Sequence, residues 1–383
     1  MKPQLACNTF GGSPVLSPDE VDPSYLLLAT FNTGDHRGDE GAVHLTDLYG
    51  SIVHTWKTQY ETSVAHLFKN GDIMVAQLAP NKPDTSHFPG GGRTGILQRL
   101  DWKGNVLWEY RHDAMHHDFE VLPDDSVIIT IWKRISPAVA PKIVSSSREE
   151  PREELWADGL LQVNVQGKVV WEWHAEDHLD PATSLLNEFP HRVEWTHINS
   201  VRYVAKDPLR GEEALLVSMR NTNSVYLISK RTKEVLWNSP QGLTMGQHDA
   251  TLLENGNVLV FDNGLHRRPT SRSEVVSSRV VEIDPRSDTV VWELTGGPAS
   301  SERASLYSSI MCGAQRLKNG NTLVIISSTG HLFEVTPEKK TVWDFINPIT
   351  TKGSGVWPNN AVFTARRYRP EDLTLPEWIP LPS

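Results

Sequence analysis

The sequence predicts an all-β protein, a six-bladed β-propeller closed by pairing of its amino- and carboxy-terminal strands in one blade. Three observations predict it. A β-rich stretch ending in tryptophan recurs six times, about 50 to 66 residues apart. A hairpin signal precedes each recurrence and a strand–turn–strand pattern follows five of the six. The two chain ends together supply the strands of the one blade that neither completes. A fixed period of that length suits a four-stranded unit better than the shorter helical repeats.

The elements follow in order. The first blade opens with "SYLLLATF", "AVHLTDL" and "SIVHTW". The second reads "LFKNGDIMVA", "GILQRL" and "NVLW" at Trp108; the third "FEVLPDDSVIIT", "GLLQV" and "KVVW" at Trp171. The fourth carries "SVRYV", "EEALLVSM", "VYLIS" and "EVLW" at Trp237, the fifth "ATLLENGNVLVF", "RVVEI" and "TVVW" at Trp292, and the sixth "AQRLKNGNTLVII", "HLFEV" and "KTVW" at Trp343. Asn-Gly turns between the first two strands supply the positive φ angles tight hairpins need. "NAVFTARRY", residues 360 to 368, gives the first blade its innermost strand. The expected organisation is an extension over 1–23, the propeller over 24–368 and a tail over 369–383. A closed ring leaves only short, protected sheet edges. The six tryptophans, beginning with Trp56, are expected to pack between blades.

The 383 residues include 37 basic and 47 acidic side chains, a formal net charge of -10. No basic stripe is present, so electrostatics give no case for nucleic acid or an anionic membrane as partner. A small aromatic or anionic molecule is the expected partner, with a homodimer left open. The opening "MKPQLACNTFGGSPVLSPDE" has no apolar core behind its one lysine, and no run of about 18 apolar residues occurs. A soluble, cytoplasmic protein is the expectation, and a mature periplasmic form stays open. Cys7 and Cys312 are too few for a disulfide framework and lack metal spacing.

Counting back from the turn between the first two strands of each blade puts His117, His197, His248 and Cys312 at equivalent positions, with Ser63 and Asn359 as the counterparts in the remaining blades. The first strand of each blade is innermost, so these side chains are expected near one end of the central channel. Three imidazoles in six such slots point to a site; the blander account is a set of polar channel residues satisfied by water. Alternation along the strand sends His116 to the opposite face, and His174, His178, His191 and His266 fall in expected loops. Long insertions at 133–156, 174–195, 264–278, 296–310 and 349–357 gather on the rim where the ring begins, as loops that build specificity do. Tyr307 and Cys312, at the end of one insertion, and Asn359 are expected to contact substrate. Arg220 ends "EALLVSMRN" at the same rim, where a guanidinium fork suits a planar or tetrahedral anion. Position alone equally allows a surface arginine paired with a loop carboxylate.

The strings "HHDFEVLPDDS", "WTHINSV" followed by "VSMRN", "GQHDATLLENGNVLVFDNG" and "GAQRLKNGNTLV" resemble the bacterial arylsulfate sulfotransferase family, from about residue 24 to 368. The resemblance implies a six-bladed propeller that moves a sulfuryl group between phenols through a sulfated histidine, without a nucleotide donor or other cofactor. On the matching motifs His248 takes the nucleophile's place. His117, His197, Asn199 and Arg220 match residues that hold the sulfuryl oxygens and assist proton transfer. The export signal, extra amino-terminal β domain and disulfide of periplasmic members are not evident in this sequence.

A neutral imidazole, with its ordinary pKa of about 6.5, is a competent nucleophile near pH 7. A phenol with a pKa of about 10 leaves with modest protonation, which His117 or His197 would supply. Arg220 and Asn199 would balance charge on the sulfuryl oxygens. Other classes remain open from the residues alone. His117, His197 and His248 could instead bind zinc, copper or iron around an open position. A lyase or isomerase acting on a small anion, or a non-catalytic binding platform, would also use a polar channel.

Overall fold

The structure, a computed structural model, describes residues 17–30, 40–80, 91–143, 155–184, 193–265, 267, 277–298, 306–350 and 360–382. The described strands form six four-stranded antiparallel sheets, the blades of a six-bladed β-propeller. In chain order, β1 (Tyr25–Thr30), β2 (Gly41–Thr46) and β3 (Ile52–Thr58) are followed by the sheet of β4 (Thr62–Leu67), β5 (Ile73–Leu78), β6 (Gly95–Leu100) and β7 (Val106–Arg111). The third sheet holds β8 (Met115–Val121), β9 (Val127–Arg134), β10 (Trp156–Val163) and β11 (Val169–His174). The fourth holds β12 (Ile198–Val204), β13 (Ala214–Met219), β14 (Ser224–Ser229) and β15 (Val235–Asn238), and the fifth β16 (His248–Leu252), β17 (Val258–Asp262), β18 (Arg279–Asp284) and β19 (Thr289–Leu294). The sixth comprises β20 (Gly313–Arg316), β21 (Thr322–Ile326), β22 (His331–Val335) and β23 (Thr341–Ile346). The last strand, β24 (Val362–Tyr368), joins the first sheet beside β1, with Tyr25 opposite Tyr368 and Leu26 opposite Arg367.

The chain divides into two compact units: Met1–Asn81, Gly95–Arg111 and Gly296–Ser383 form one, and Lys82–Thr94 with His112–Thr295 the other. The first unit holds the sheets of β1–β3 with β24, of β4–β7 and of β20–β23. Its core includes Leu26, Leu28, Leu323, Trp343, Phe345 and Val362. Arg367 on β24 pairs with Glu334 on β22 at 2.9 Å, both side chains wholly buried, and donates to the Asp22 carbonyl. Arg369 binds the Asp22 carboxylate at 2.7 Å. The end of the chain docks on this unit: Thr374 N donates to Lys69 O at 2.6 Å, Tyr25 OH donates to Pro380 O, and Ile379 is buried.

The second unit holds the sheets of β8–β11, β12–β15 and β16–β19, and β12 packs against both β8 and β16. One apolar cluster joins Ile128, Leu160, Trp173, Trp195, Val201 and Val217; another joins Leu216, Leu227, Val258, Val260 and Val281. Alternating and near-continuous β-branched runs produce these strands because the inner ones are covered on both faces.

The repeated tryptophans tie blade to blade through a polar handle as well as an apolar body. Each of four donates its Nε1–H to the turn that precedes the outer strand of the next blade. Within the first unit Trp56 reaches Asp101 O at 3.1 Å and Trp343 reaches Leu48 O at 2.7 Å. Within the second, Trp171 reaches Lys230 O at 2.9 Å and Trp237 reaches the Asp288 carboxylate at 2.7 Å. Trp56, Trp237 and Trp343 are buried, while Trp108, Trp171 and Trp292 are partly exposed.

Helix is scarce among the described residues. The α-helix Ala175–His178 and a 3-10 turn over Ala140–Lys142 lie within two of the expected insertions. His178 stacks on Trp173, and His174 closes strand β11 rather than lying in a loop. His191 and His266 lie outside the described residues. No described helix is long and apolar enough to cross a membrane.

Candidate active site

The three inner strands of the second unit are each irregular near their start, the left-handed residue falling one position later in β16 than in β8 and β12. His117 (φ 47°), His197 (φ 57°) and Asp249 (φ 57°) adopt left-handed backbone, a region that costs ordinary residues energy and that His and Asp enter more readily than most. Register shifts follow within β8, β12 and β16, as β-bulges produce. One guanidinium pins the group. Arg202 on β12 pairs with Asp118 on β8 at 2.5 Å and with Asp249 on β16 at 2.9 Å, and Val201 N donates to Asp118 at 3.0 Å. Burial opposes the Arg202 charge, but Asp118 and Asp249 outweigh it and raise the pKa.

His248 is buried at the start of β16. Its Nδ1 lies 3.0 Å from Gly246 O and 2.7 Å from Asn263 Oδ1. Both partners accept, so Nδ1 carries the hydrogen and the ring lone pair belongs to Nε2. Burial, then the Arg220 charge and His197, push the His248 pKa down to about 3, against the hydrogen bonds it donates to Asn263 and Gly246. The ring is therefore neutral across the physiological range.

His117 lies with its ring centroid 4.5 Å from that of His197, edge to face. Its backbone N–H donates to Gly92 O at 2.6 Å. A Cβ at Gly92 would stand 2.3 Å from the His117 ring, so that position requires glycine. Burial and the neighbouring His197, His116, His248 and Arg220 hold the His117 pKa well below the usual imidazole range.

His197 Nδ1 faces Glu194 Oε2 at 2.6 Å, and the other oxygen of Glu194 accepts from Trp132 Nε1 at 2.9 Å. Glu194 is placed by a short parallel bridge: Trp156 N donates to Val193 O and Trp195 N to Trp156 O, each at 2.7 Å. A carboxylate on Nδ1 fixes the tautomer and orientation of an imidazole.

Arg220 follows β13 and is buried. Its N–H donates to His197 O at 3.0 Å. Burial lowers its pKa to about 10 despite the attraction of Glu194, so the guanidinium stays charged at neutral pH. Asn199 donates from Nδ2 to Gln247 O at 2.7 Å, bridging β12 to the approach of β16. Its Oδ1 is buried without a hydrogen-bond partner among the described residues.

His116 overturns the expectation of strict alternation. The left-handed turn at His117 breaks the two-residue period, and His116 Nδ1 meets His117 Nδ1 at 2.8 Å. The His116 ring is wholly buried, stacks on Trp132 at 4.4 Å between centroids, and places Nε2 3.0 Å from Asp158 Oδ1 on β10. Burial works against the Asp158 charge, but His116 and Thr196 outweigh it and hold the carboxyl below its ordinary pKa.

His117, His197, His248, Arg220 and Asn199 thus all belong to the second unit; His197, His248 and Arg220 act electrostatically on His117, and Arg220 and His197 act on His248. Cys312 and Tyr307 belong to the first unit. Cys312 is buried, its thiol pushed up to about 11, and Tyr307 is exposed. Asn359 lies outside the described residues. Among the described residues no three His, Cys, Asp or Glu side chains are grouped to hold a metal ion. Sequence reasoning missed Asp158, Glu194, Asn263 and the role of His116. A carboxylate three residues before His197 and an asparagine closing "VFDN" were the available signals.

Fold and centre together define a six-bladed propeller with a buried cluster of imidazoles, carboxylates and arginines in its second unit. The sequence model of the arylsulfotransferase (ASST) family matches residues 82–348, and the chain belongs to that family. It is similar to arylsulfate sulfotransferase AssT of Escherichia coli O6:H1, with 23% identity over 319 residues, 62% of this chain and 49% of that protein. The chain therefore spans about half the length of this curated relative. Among solved structures it resembles a protein of unknown function from Bacteroides caccae, with TM-score 0.53 and 14% identity over 91% of this chain and 100% of that one, a likeness of fold alone. A virginiamycin B lyase from Staphylococcus aureus matches at TM-score 0.43 and 11% identity, over 85% of this chain and 90% of that one, too loosely to carry an argument.

Proposed function

We propose that the protein transfers a sulfuryl group from an aryl sulfate to a phenolic acceptor through a sulfohistidine on His248. The observation that carries this is the fixed tautomer of His248: two acceptors hold its Nδ1–H, at 3.0 and 2.7 Å, which leaves the nucleophilic lone pair on Nε2 of a ring kept neutral by burial. Family membership supports the coarser class, an arylsulfotransferase-like transferase.

In the first half-reaction Nε2 attacks sulfur in line with the departing phenolic oxygen. The S–N bond forms as the S–O bond breaks, and His117 or His197 gives the phenolate a proton. In the second, the acceptor oxygen attacks sulfur, the S–N bond breaks, and the same histidine takes the acceptor's proton. In this reading Arg220 sets its charge, and Asn199 the Nδ2 hydrogen not given to Gln247 O, against the non-bridging oxygens. Removal of one such buried neighbour leaves the nucleophile intact but the transition state uncompensated.

Incubation of the protein with p-nitrophenyl sulfate and phenol tests the reading. The expected result is p-nitrophenolate release with formation of phenyl sulfate, and a loss on the order of 10⁴-fold or more in kcat for His248→Asn, as when a nucleophile is removed. Unchanged turnover in His248→Asn contradicts it.

A further inference from the structure

We infer that Asp158, His116 and His117 form a buried proton relay, in which His117 exchanges a proton with the phenolic oxygen at Nε2 while His116 and Asp158 store that proton behind it. The inference rests on the sulfuryl-transfer reading and assigns the acid–base work of that reaction to one of two histidines, with His116 and Asp158 as positioning residues.

The relay gives each hydrogen a direction. Asp158 Oδ1 is 3.0 Å from His116 Nε2, both wholly buried; the two meet outside hydrogen-bond angles, and the relay places a hydrogen on Nε2 because a lone pair there would repel the carboxylate. The second Asp158 oxygen accepts from the Thr196 hydroxyl, and Trp132 stacked on the ring fixes its plane. His116 Nδ1 and His117 Nδ1 are 2.8 Å apart, a separation that admits one hydrogen between them and not none or two. When His116 is neutral that hydrogen belongs to His117, whose lone pair is then on Nε2. When His116 is cationic it belongs to His116, and His117 carries its hydrogen on Nε2.

These two states are the two states an acid–base catalyst needs. As the acceptor phenol attacks, its proton passes to His117 Nε2 while the hydrogen on His117 Nδ1 moves to His116 Nδ1. His116 becomes an imidazolium beside the Asp158 carboxylate, and His117 is neutral before and after. When the next donor's phenolate leaves, both hydrogens return. Atoms and charge balance over the cycle: the proton taken from one acceptor is given to the next leaving group. The arrangement explains why a shuttle can work where His197, His248, Arg220 and His116 all surround His117. A positive charge held on His117 would face those groups in a buried site, whereas on His116 it faces a carboxylate. His197 has a different partner, Glu194, and no second histidine behind it among the described contacts.

Proton help matters most for weakly acidic phenols. His116→Gln and Asp158→Asn are expected to slow turnover with phenol as acceptor by about 100-fold or more. The initial burst of p-nitrophenolate, a leaving group that needs little protonation, should slow by less than about tenfold. Nitrophenol acceptors of low pKa should recover most of the lost rate. Equal losses for acidic and weakly acidic acceptors overturn the relay, because a merely structural defect does not depend on acceptor pKa. Wild-type protein that releases no stoichiometric p-nitrophenolate from p-nitrophenyl sulfate in the absence of acceptor overturns the sulfuryl-transfer reading itself. Should the buried variants fail to fold, the wild type with ¹⁵N-labelled histidine carries the test. A downfield ring proton coupled to nitrogens of two different imidazoles supports the relay, and separate Nε2–H tautomers on both rings with no shared proton contradict it.

Discussion

The inner strands of the two units share a backbone device and differ in what it presents. In the second unit the left-handed residues are His117, His197 and Asp249; in the first, β20 is entered through Met311 (φ 56°) and Cys312 (φ 78°). Around the second-unit positions stand imidazoles, the carboxylates Asp118, Asp158 and Glu194, and two arginines. Around Cys312 stand hydroxyls: its N–H donates to Ser327 Oγ at 2.9 Å, and Ser308 and Ser328 meet at 3.1 Å. The bent entry is thus shared by β8, β12, β16 and β20, while the chemistry depends on which side chains it carries. Buried charge separates the units in the same way. Arg202 ties β12 to β8 and β16, whereas Arg367 with Glu334 fastens the strand that closes the first sheet.

Breaking those two arginines sharpens the contrast most. Arg202→Met leaves Asp118 and Asp249 without their cation, and Arg367→Met leaves Glu334 so. Each is expected to cost about 3–5 kcal/mol in urea unfolding, the usual result of orphaning a buried charge. Only Arg202→Met should also lower kcat at a temperature where both variants are folded. Equal activity losses would erase the distinction between the units.

A smaller effect is expected at Arg220. Arg220→Met keeps the apolar stem and removes the charge, and kcat for p-nitrophenyl sulfate should fall by about 10²–10³-fold, as for loss of one donor to a developing oxyanion. A change confined to KM would mean that Arg220 binds substrate without favouring the transition state.

The pH dependence of stability separates the units at opposite ends of the scale. His248 titrates at about 3 when folded, against 6.5 ordinarily. Between those values the unfolded chain binds more protons, so stability present above pH 6.5 is lost as pH falls toward 3. Cys312 titrates at about 11 against 9.0, so its contribution is present below pH 9 and is lost as pH rises through 11. Thermal unfolding should show a shallower acid slope in His248→Asn, by up to about 1.4 kcal/mol per pH unit, with the alkaline slope unchanged. Cys312→Ser should alter the alkaline side alone. Identical profiles for all three proteins would contradict the assignment.

Much of the fold was legible because the tryptophan repeat has a physical role: within each unit an outer strand caps the neighbouring blade, and an indole supplies both surface and donor. The shared neighbourhood of His117, His197 and His248 was legible because positions counted back from the hairpin turns pass through similar irregularities in β8, β12 and β16. His116 was misplaced for the same reason. Alternation assumes extended backbone, and the positive φ at His117 cannot be read from residue type. Asp158 and Glu194 were invisible because one reaches the centre from the third strand of its blade and the other from a loop anchored on Trp156, contacts that strand periodicity does not encode.

The most direct test of the central claim is mass spectrometry of the protein quenched at high pH after mixing with p-nitrophenyl sulfate in the absence of acceptor. The account predicts a mass gain of one SO₃ on the peptide carrying His248, discharged on adding phenol. Steady turnover with no sulfated protein, or the added mass on a peptide without His248, would contradict it.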